Sequence, residues 1–256
     1  NRPRRTRRET FPSPIRYPKH MKIGRMLALL FMVSVLVAIF ALPIGLVGMA
    51  SKRSVSINTQ TNSEPEDLAA VSQEFEGVES IEIAGSLDLV WSPAEGPTTS
   101  VKITGPSRSS SRVKAQLRGS TLVVSNSSSR SSSGVRVEVT GPQPNSFHTS
   151  GSGSIEAIGL EGKPVGIVVS GSGVITAVGS APGLSIDVTG SGQVKAAGLE
   201  AETVTSRMSG SGLITVGETK QLDANISGSG QILYQGDPKV SSDVNGSGSV
   251  RKLKPR

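Results

Sequence analysis

His148 sits beside Ser146, Thr149 and Ser150. A histidine among hydroxyls has the residue types of a general base next to a nucleophile. The same surroundings suit a solvated or capping histidine, and no third group nearby marks a catalytic set. The other histidine, His20, precedes a long apolar run, so a metal site of several imidazoles is excluded. Cysteine is absent, which removes disulfides, thiolate nucleophiles and Cys–zinc sites. The later carboxylates are scattered: Glu156, Glu161, Asp187, Glu200, Glu202, Glu218, Asp223, Asp237 and Asp243. An enzyme acting on polysaccharide would need two of them with a basic residue in one groove, and linear spacing leaves that open. No G-x-S-x-G elbow occurs. Gly151-Ser152-Gly153-Ser154-Ile155-Glu156 lacks the third glycine of a dinucleotide fingerprint. No catalytic, cofactor-binding or metal-binding residue is assigned on these grounds.

The residues that would have to position any such group belong to a repeat. Ser150-Gly151-Ser152-Gly153 returns with first glycines at Gly171, Gly190, Gly210, Gly228 and Gly246, in steps of 20, 19, 20, 18 and 18 residues. A fixed period of this size marks stacked units. Four residues after the first glycine stands Ile155, Ile175, Val194, Ile214, Ile232 or Val250. Two residues before it stands Val169, Val188, Met208, Ile226 or Val244. Spacing by two places such side chains on one face of a strand, and β-branching favours strands over helices. Each unit reads as strand, glycine corner, short strand and loop. A single unit cannot bury its apolar face, but units stacked about 4.8 Å apart build a continuous core. The expected fold is therefore all-β: a single-stranded parallel β-helix of roughly 19-residue coils. The glycines at 151, 171, 190, 210, 228 and 246 are its structural corners, and the serine between each pair of glycines is expected to face solvent. With aromatics at 3% of the chain, the core is expected to be aliphatic.

Charge divides the chain. Residues 1–25 carry nine Lys/Arg against Glu9, whereas the rest holds 18 basic and 19 acidic residues. The body is nearly neutral, so it is not expected to bind nucleic acid. Residues 1–25, with six arginines and four prolines by position 18, read as a disordered basic segment. The span 26–50 is apolar apart from Ser34, and its length suits a transmembrane helix or a signal-peptide core. Gly48-Met49-Ala50 would suit cleavage; a retained span would anchor the protein to the membrane. Basic residues ahead of it place the N-terminus in the cytoplasm and export the body. Residues 51–74 read as a polar linker and 75–256 as the β-helix domain.

The first strands of that domain are less regular. Alternation bounded by turn residues predicts strands at 78–83, 87–91, 100–104 and 135–139, and a hairpin over 113–124 around Gly119-Ser120. They are expected to form first coils or a cap, since a solenoid needs its open end covered. The serine-rich stretches 107–111 and 125–133 read as solvated loops. The basic tail Arg251-Lys252-Leu253-Lys254-Pro255-Arg256 is expected to blunt the far end.

The six Ser/Thr/Asn-Gly-Ser-Gly units and the closing stretch from Ile226 to Pro238 resemble the head GIN domain family, whose members are named auto-transporter adhesins. The resemblance spans about 75–256. It implies a right-handed parallel β-helix in an exported bacterial protein. Family members often carry an acid directly after the second glycine. Here Ser154, Val174, Gln193, Leu213, Gln231 and Ser249 stand there, so no carboxylate ladder and no bound calcium is expected. The reading that results is a non-enzymatic, envelope-exposed adhesin or scaffold without cofactor, binding a surface polysaccharide or an envelope protein. It would be membrane-anchored through 26–50, or secreted after cleavage. The alternatives are a polysaccharide-acting β-helix enzyme and an envelope signalling partner.

Overall fold

A computed structural model describes residues 68–126 and 134–253. The basic segment 1–25, the apolar span 26–50, most of the 51–74 linker and most of the second serine-rich stretch lie outside the described residues. No helix among the described residues is long and apolar enough to cross a membrane.

The described chain is all-β, with one short helix, and stacks as a β-solenoid. In order the strands are β1 (Leu68–Glu76), β2 (Ser80–Gly85), β3 (Asp88–Pro93), β4 (Thr98–Pro106), β5 (Val113–Arg118), β6 (Thr121–Asn126), β7 (Arg136–Gly141), β8 (Ser146–Gly151) and β9 (Ser154–Leu160). There follow β10 (Val165–Gly171), β11 (Val174–Gly190), β12 (Gln193–Gly210), β13 (Leu213–Val216), β14 (Thr219–Gly228), β15 (Gln231–Tyr234), β16 (Lys239–Gly246) and β17 (Ser249–Lys252). The four-residue helix α1 (Ser107–Ser110) follows β4. It stands where sequence predicts a loop.

Each glycine corner joins two faces. The front face runs β5-β6-β2-β8-β10, then the second halves of β11 and β12, then β14-β16. The back face runs β1-β4-β7-β3-β9, then the first halves of β11 and β12, then β13-β15-β17. From β8 onward neighbours are parallel and follow chain order, as the repeat predicts. Ile175, Val194 and Ile214 lie in register and are fully buried. The drift between 20- and 19-residue coils has a local cause. One residue is left over at Gly159 against β11, and another at Ala197 where β12 passes β11. Each is a single-residue bulge on the back face, so the inward columns stay aligned beyond it.

The N-terminal end departs from chain order. The coil β2–β3 lies between β6–β7 on one side and β8–β9 on the other. The chain lays this coil first, runs outward through β4 to β7 to build the cap, then returns to continue the stack. The hairpin β5–β6 forms as predicted, with Gly119 at positive φ. Strand β1 pairs antiparallel with β4 along nine residues, so residues 68–74 of the stretch read as linker form part of a strand. Its polar residues misled because β1 is an edge strand with mostly exposed side chains, and exposure tolerates them.

The core is mostly aliphatic, but its N-terminal end holds an aromatic pair that composition did not predict. Trp91 and Phe147 are fully buried and meet edge-to-face at 5.6 Å. Side-chain size then changes in opposite directions on the two faces. One front column runs Phe147, Ile167, Ile186, Ser206, Ala224, while a back column runs Ala157, Ala177, Ala196, Val216, Tyr234. Opposed gradients of this kind keep a thin interior filled without changing its width.

Candidate functional site

The corner brings backbone into close register. Ser191 N–H donates to Gly171 C=O at 2.9 Å, and Gln193 N–H donates to Gly173 C=O at 2.9 Å, so the ladder continues around the bend. The central serines, from Ser152 to Ser247, are all exposed, as expected. A seventh corner, Gly85 at φ 106°, opens the series. It lacks the repeat's signature because Ala84-Gly85-Ser86-Leu87 carries a buried leucine in place of the second glycine. In this coil Asp88 occupies the place after that position, and Ser154 of the next coil donates to its carboxylate. This corner, unlike the other six, is thus followed by an acid.

The first residue of each corner unit projects outward on the front face. Ala84, Ser150, Ser170, Thr189, Ser209, Ser227 and Asn245 lie side by side in one column. Four residues upstream, Ser80, Ser146, Gly166, Ser185, Thr205, Asp223 and Ser241 form a second. Between them runs a mixed column from Glu82 and His148 to Asp187, Arg207 and Asn225. The result is a flat face carrying short hydroxyls one strand spacing apart (about 4.8 Å).

His148 lies half-buried in that middle column. Its Nε2 is 3.1 Å from Ser146 Oγ, which is 2.8 Å from Ser80 Oγ. The structure thus joins a Ser–His pair to a second serine from a strand 66 residues earlier. Glu82 is the in-register neighbour of His148, yet it accepts from Ser150 Oγ at 3.2 Å instead. A catalytic triad needs the carboxylate on the other ring nitrogen, to fix the tautomer and stabilise the imidazolium. Among the described residues no carboxylate is hydrogen-bonded to the other ring nitrogen of His148, so the arrangement is a Ser–Ser–His chain without that third member.

The scattered carboxylates do converge at one place. Glu200, Glu202 and Glu218 line a shallow cleft of about 510 Å³ together with Lys220. They come from two successive coils, on the loop edge opposite the glycine corners. Lys220 Nζ lies 2.7 Å from Glu202 Oε1, and this hydrogen bond, with the lysine's charge, holds the Glu202 carboxyl below its usual range. Glu156, Asp187, Asp223 and Asp243 stay apart from this cleft on the outward faces. No group of three or more His, Asp or Glu side chains able to hold a metal ion occurs among the described residues. His20 lies outside them.

The family model described as "Putative auto-transporter adhesin, head GIN domain" matches residues 77–238. The chain belongs to this family. No curated protein matches it. Among solved structures it is similar to a putative adhesin from Bacteroides fragilis, with 20% identity and a TM-score of 0.59, covering 72% of this chain and 97% of that one. A putative lipid binding protein from Parabacteroides distasonis is also similar, at 22% identity and a TM-score of 0.45, covering 72% and 97%. A putative adhesin from Parabacteroides merdae follows at 20% and 0.42, covering 73% and 96%. At these identities the likeness to the first concerns the fold.

Proposed function

We propose that the protein is an exported, envelope-exposed adhesin or surface scaffold. Its right-handed solenoid is carried outward by residues 26–50, either as a retained anchor or as a cleaved signal, and its front face engages a surface polysaccharide or an envelope protein. Membership of the adhesin family supports the class. The observation that carries the binding mode is the front face itself. In-register hydroxyls from Ser150 to Ser227 offer a linear polymer the same hydrogen-bonding group at every coil. Many weak contacts along a rigid face sum to useful avidity without any deep pocket.

Immobilised cell-surface polysaccharides and envelope extracts test this directly. Thr189→Arg and Ser209→Arg place long cations on the exposed column and touch no core residue. Both variants should keep the wild-type circular dichroism spectrum and lose binding. Retained binding by both would remove the front face from the reading. Protease added to spheroplasts should cut within 51–67 and leave the membrane-proximal basic segment intact or already absent. A protected 51–67 segment would reverse the orientation inferred from the basic residues.

A second reading, cleavage of a polysaccharide, rests on the Glu200, Glu202, Glu218 and Lys220 cleft. Its chemistry weighs against it. A general acid needs a carboxyl raised toward neutrality, and Lys220 moves Glu202 the other way, so Glu202 does not fit that one role. The same polysaccharide panel, followed by reducing ends and chain length, should show no depolymerisation. Depolymerisation abolished by Glu202→Gln or Glu218→Gln would make the enzyme reading correct.

A further inference from the structure

The relief of the front face is broken at β10 and β11. In the column Ser80, Ser146, Gly166, Ser185, Thr205, the third place carries no side chain. One coil on and two residues upstream of Ser185, Gly183 leaves a second gap beside Thr203. Together they open a shallow notch of about 450 Å³ at the upstream border of the face. Small-molecule sites span about 300–1,000 Å³. The backbone does not demand glycine at either place, since both lie outside the left-handed region. A Cβ at Gly183 would meet Thr203 Oγ1 at 3.6 Å and Pro164 Cβ at 3.9 Å, which are ordinary contacts. At Gly166 the fit is tighter, 3.2 Å from Ser146 Cβ. Position 183 could therefore carry a side chain, and its lack of one keeps the notch open. The walls are polar and uncharged. Asn145, Ser185 and Thr205 line them, and these side chains hydrogen-bond to no other described residue. Elsewhere on the face polar groups satisfy one another, Ser80 with Ser146, Ser150 with Glu82 and Asn225 with Asp223. Thr203 donates its hydroxyl to Pro182 C=O at 3.4 Å, and Pro164 supplies an apolar rim.

We infer that this notch seats one uncharged glycosyl residue of the polymer bound by the front face, and so selects the polymer and fixes its register; the inference rests on the polysaccharide reading of that face. The groups present decide the ligand chemistry. No Lys, Arg, Asp or Glu lines the notch, so a carboxylate or phosphate would find no cation there, and an ammonium no carboxylate. Hydroxyls and a carboxamide both donate and accept, which suits a sugar ring that presents hydroxyls around its rim. Strand β10 and the front half of β11 are paired on both sides, so no backbone edge is offered to a peptide. The hydroxyl columns alone would hold a chain equally well at each coil and let it slide. A notch at one coil removes that equivalence.

Calorimetry on the full chain in detergent tests this with cellohexaose, mannohexaose and dextran as neutral probes and polygalacturonate as an acidic one. At least one neutral probe should bind. Gly183→Leu fills the notch and should weaken that binding about tenfold or more with an unchanged circular dichroism spectrum. Thr205→Val keeps the shape, removes one hydroxyl and should weaken it about three- to tenfold, which tests the site even if Gly183→Leu folds poorly. Gly198→Leu is the matched control. It lies on the back face, also outside the left-handed region, and its Cβ would meet Val178 at 3.4 Å. It should bind as wild type does. Thr189→Arg separates the notch from the face. Binding lost in Thr189→Arg but kept in Gly183→Leu and Thr205→Val would leave the face its polymer and remove the notch as a subsite. Binding kept in all three would remove the front-face reading as well. Polygalacturonate bound as tightly as the best neutral probe, or no neutral probe bound at all, would overturn the inference.

Discussion

Gly190→Val should lower the stability of the domain by about 3 kcal/mol or more, against a change within about 0.5 kcal/mol for Ser191→Ala. Two independent costs meet at residue 190. Its φ is 110°, a region essentially closed to a β-branched residue, which costs about 1–3 kcal/mol. A Cβ there would also stand 2.7 Å from Gly171 O, the acceptor that takes Ser191 N–H. That carbonyl cannot move aside without breaking the ladder at the corner, so overpacking adds about another 1–3 kcal/mol. Gly190→Ala keeps both costs and omits only the added strain of the β-branch. It should fall between wild type and valine. Ser191 shows its hydroxyl to solvent, so its removal changes little. Thermal or urea unfolding checks the series, and equal stability of Gly190→Val and wild type would end the corner argument.

The corners could be read in advance because one period carries both signals. The glycines recur every 18–20 residues, and every inward aliphatic keeps a fixed offset from them. Once the repeat is seen, register follows without pairing any two strands by hand. The N-terminal end has no such rule. Alternation identifies β2, β3 and β7 as strands, but a strand's pattern does not name its partner. Nothing local says that β8 returns to lie against β2 across 66 residues, so the Ser80–Ser146–His148 chain could not be foreseen. Gly85 lies outside the repeat pattern because Leu87 fills the place of the second glycine.

The acidic cleft is a different kind of miss. Glu200 and Glu218 are 18 residues apart, as are Glu202 and Lys220. That is the local coil length, so the spacing already placed them side by side. Counting acids along the chain hid what counting them modulo the repeat would have found. The aromatic pair was hidden by averaging. A low aromatic fraction describes the whole chain, whereas Trp91 and Phe147 concentrate at one junction.

That junction is where the second large effect is expected. Phe147→Ala should cost about 3–5 kcal/mol, enough to lower the melting temperature by about 6 °C or more. Phe147 is fully buried between Ile81 and Ile167 in the front column, and no side chain there can swing in to fill the void. The ring also loses its edge-to-face partner Trp91, worth about 0.5–1.5 kcal/mol beyond area. Trp91 answers differently to a smaller change. It lies beside Ala157 and Val139 in register, and its Nε1 is buried with no hydrogen-bond partner among the described residues. Trp91→Phe removes that unpaired N–H along with some volume. The relief of about 1–3 kcal/mol offsets much of the cavity cost, so this variant should be far milder than Phe147→Ala. Because the pair joins β3 of the first-laid coil to β8 of the regular stack, Phe147→Ala should loosen the cap first. Hydrogen exchange should then quicken in β1 to β7 ahead of β12 to β15. Uniform exchange through both regions would show that the stack and its cap unfold as one unit, and that the aromatic contact is not what couples them.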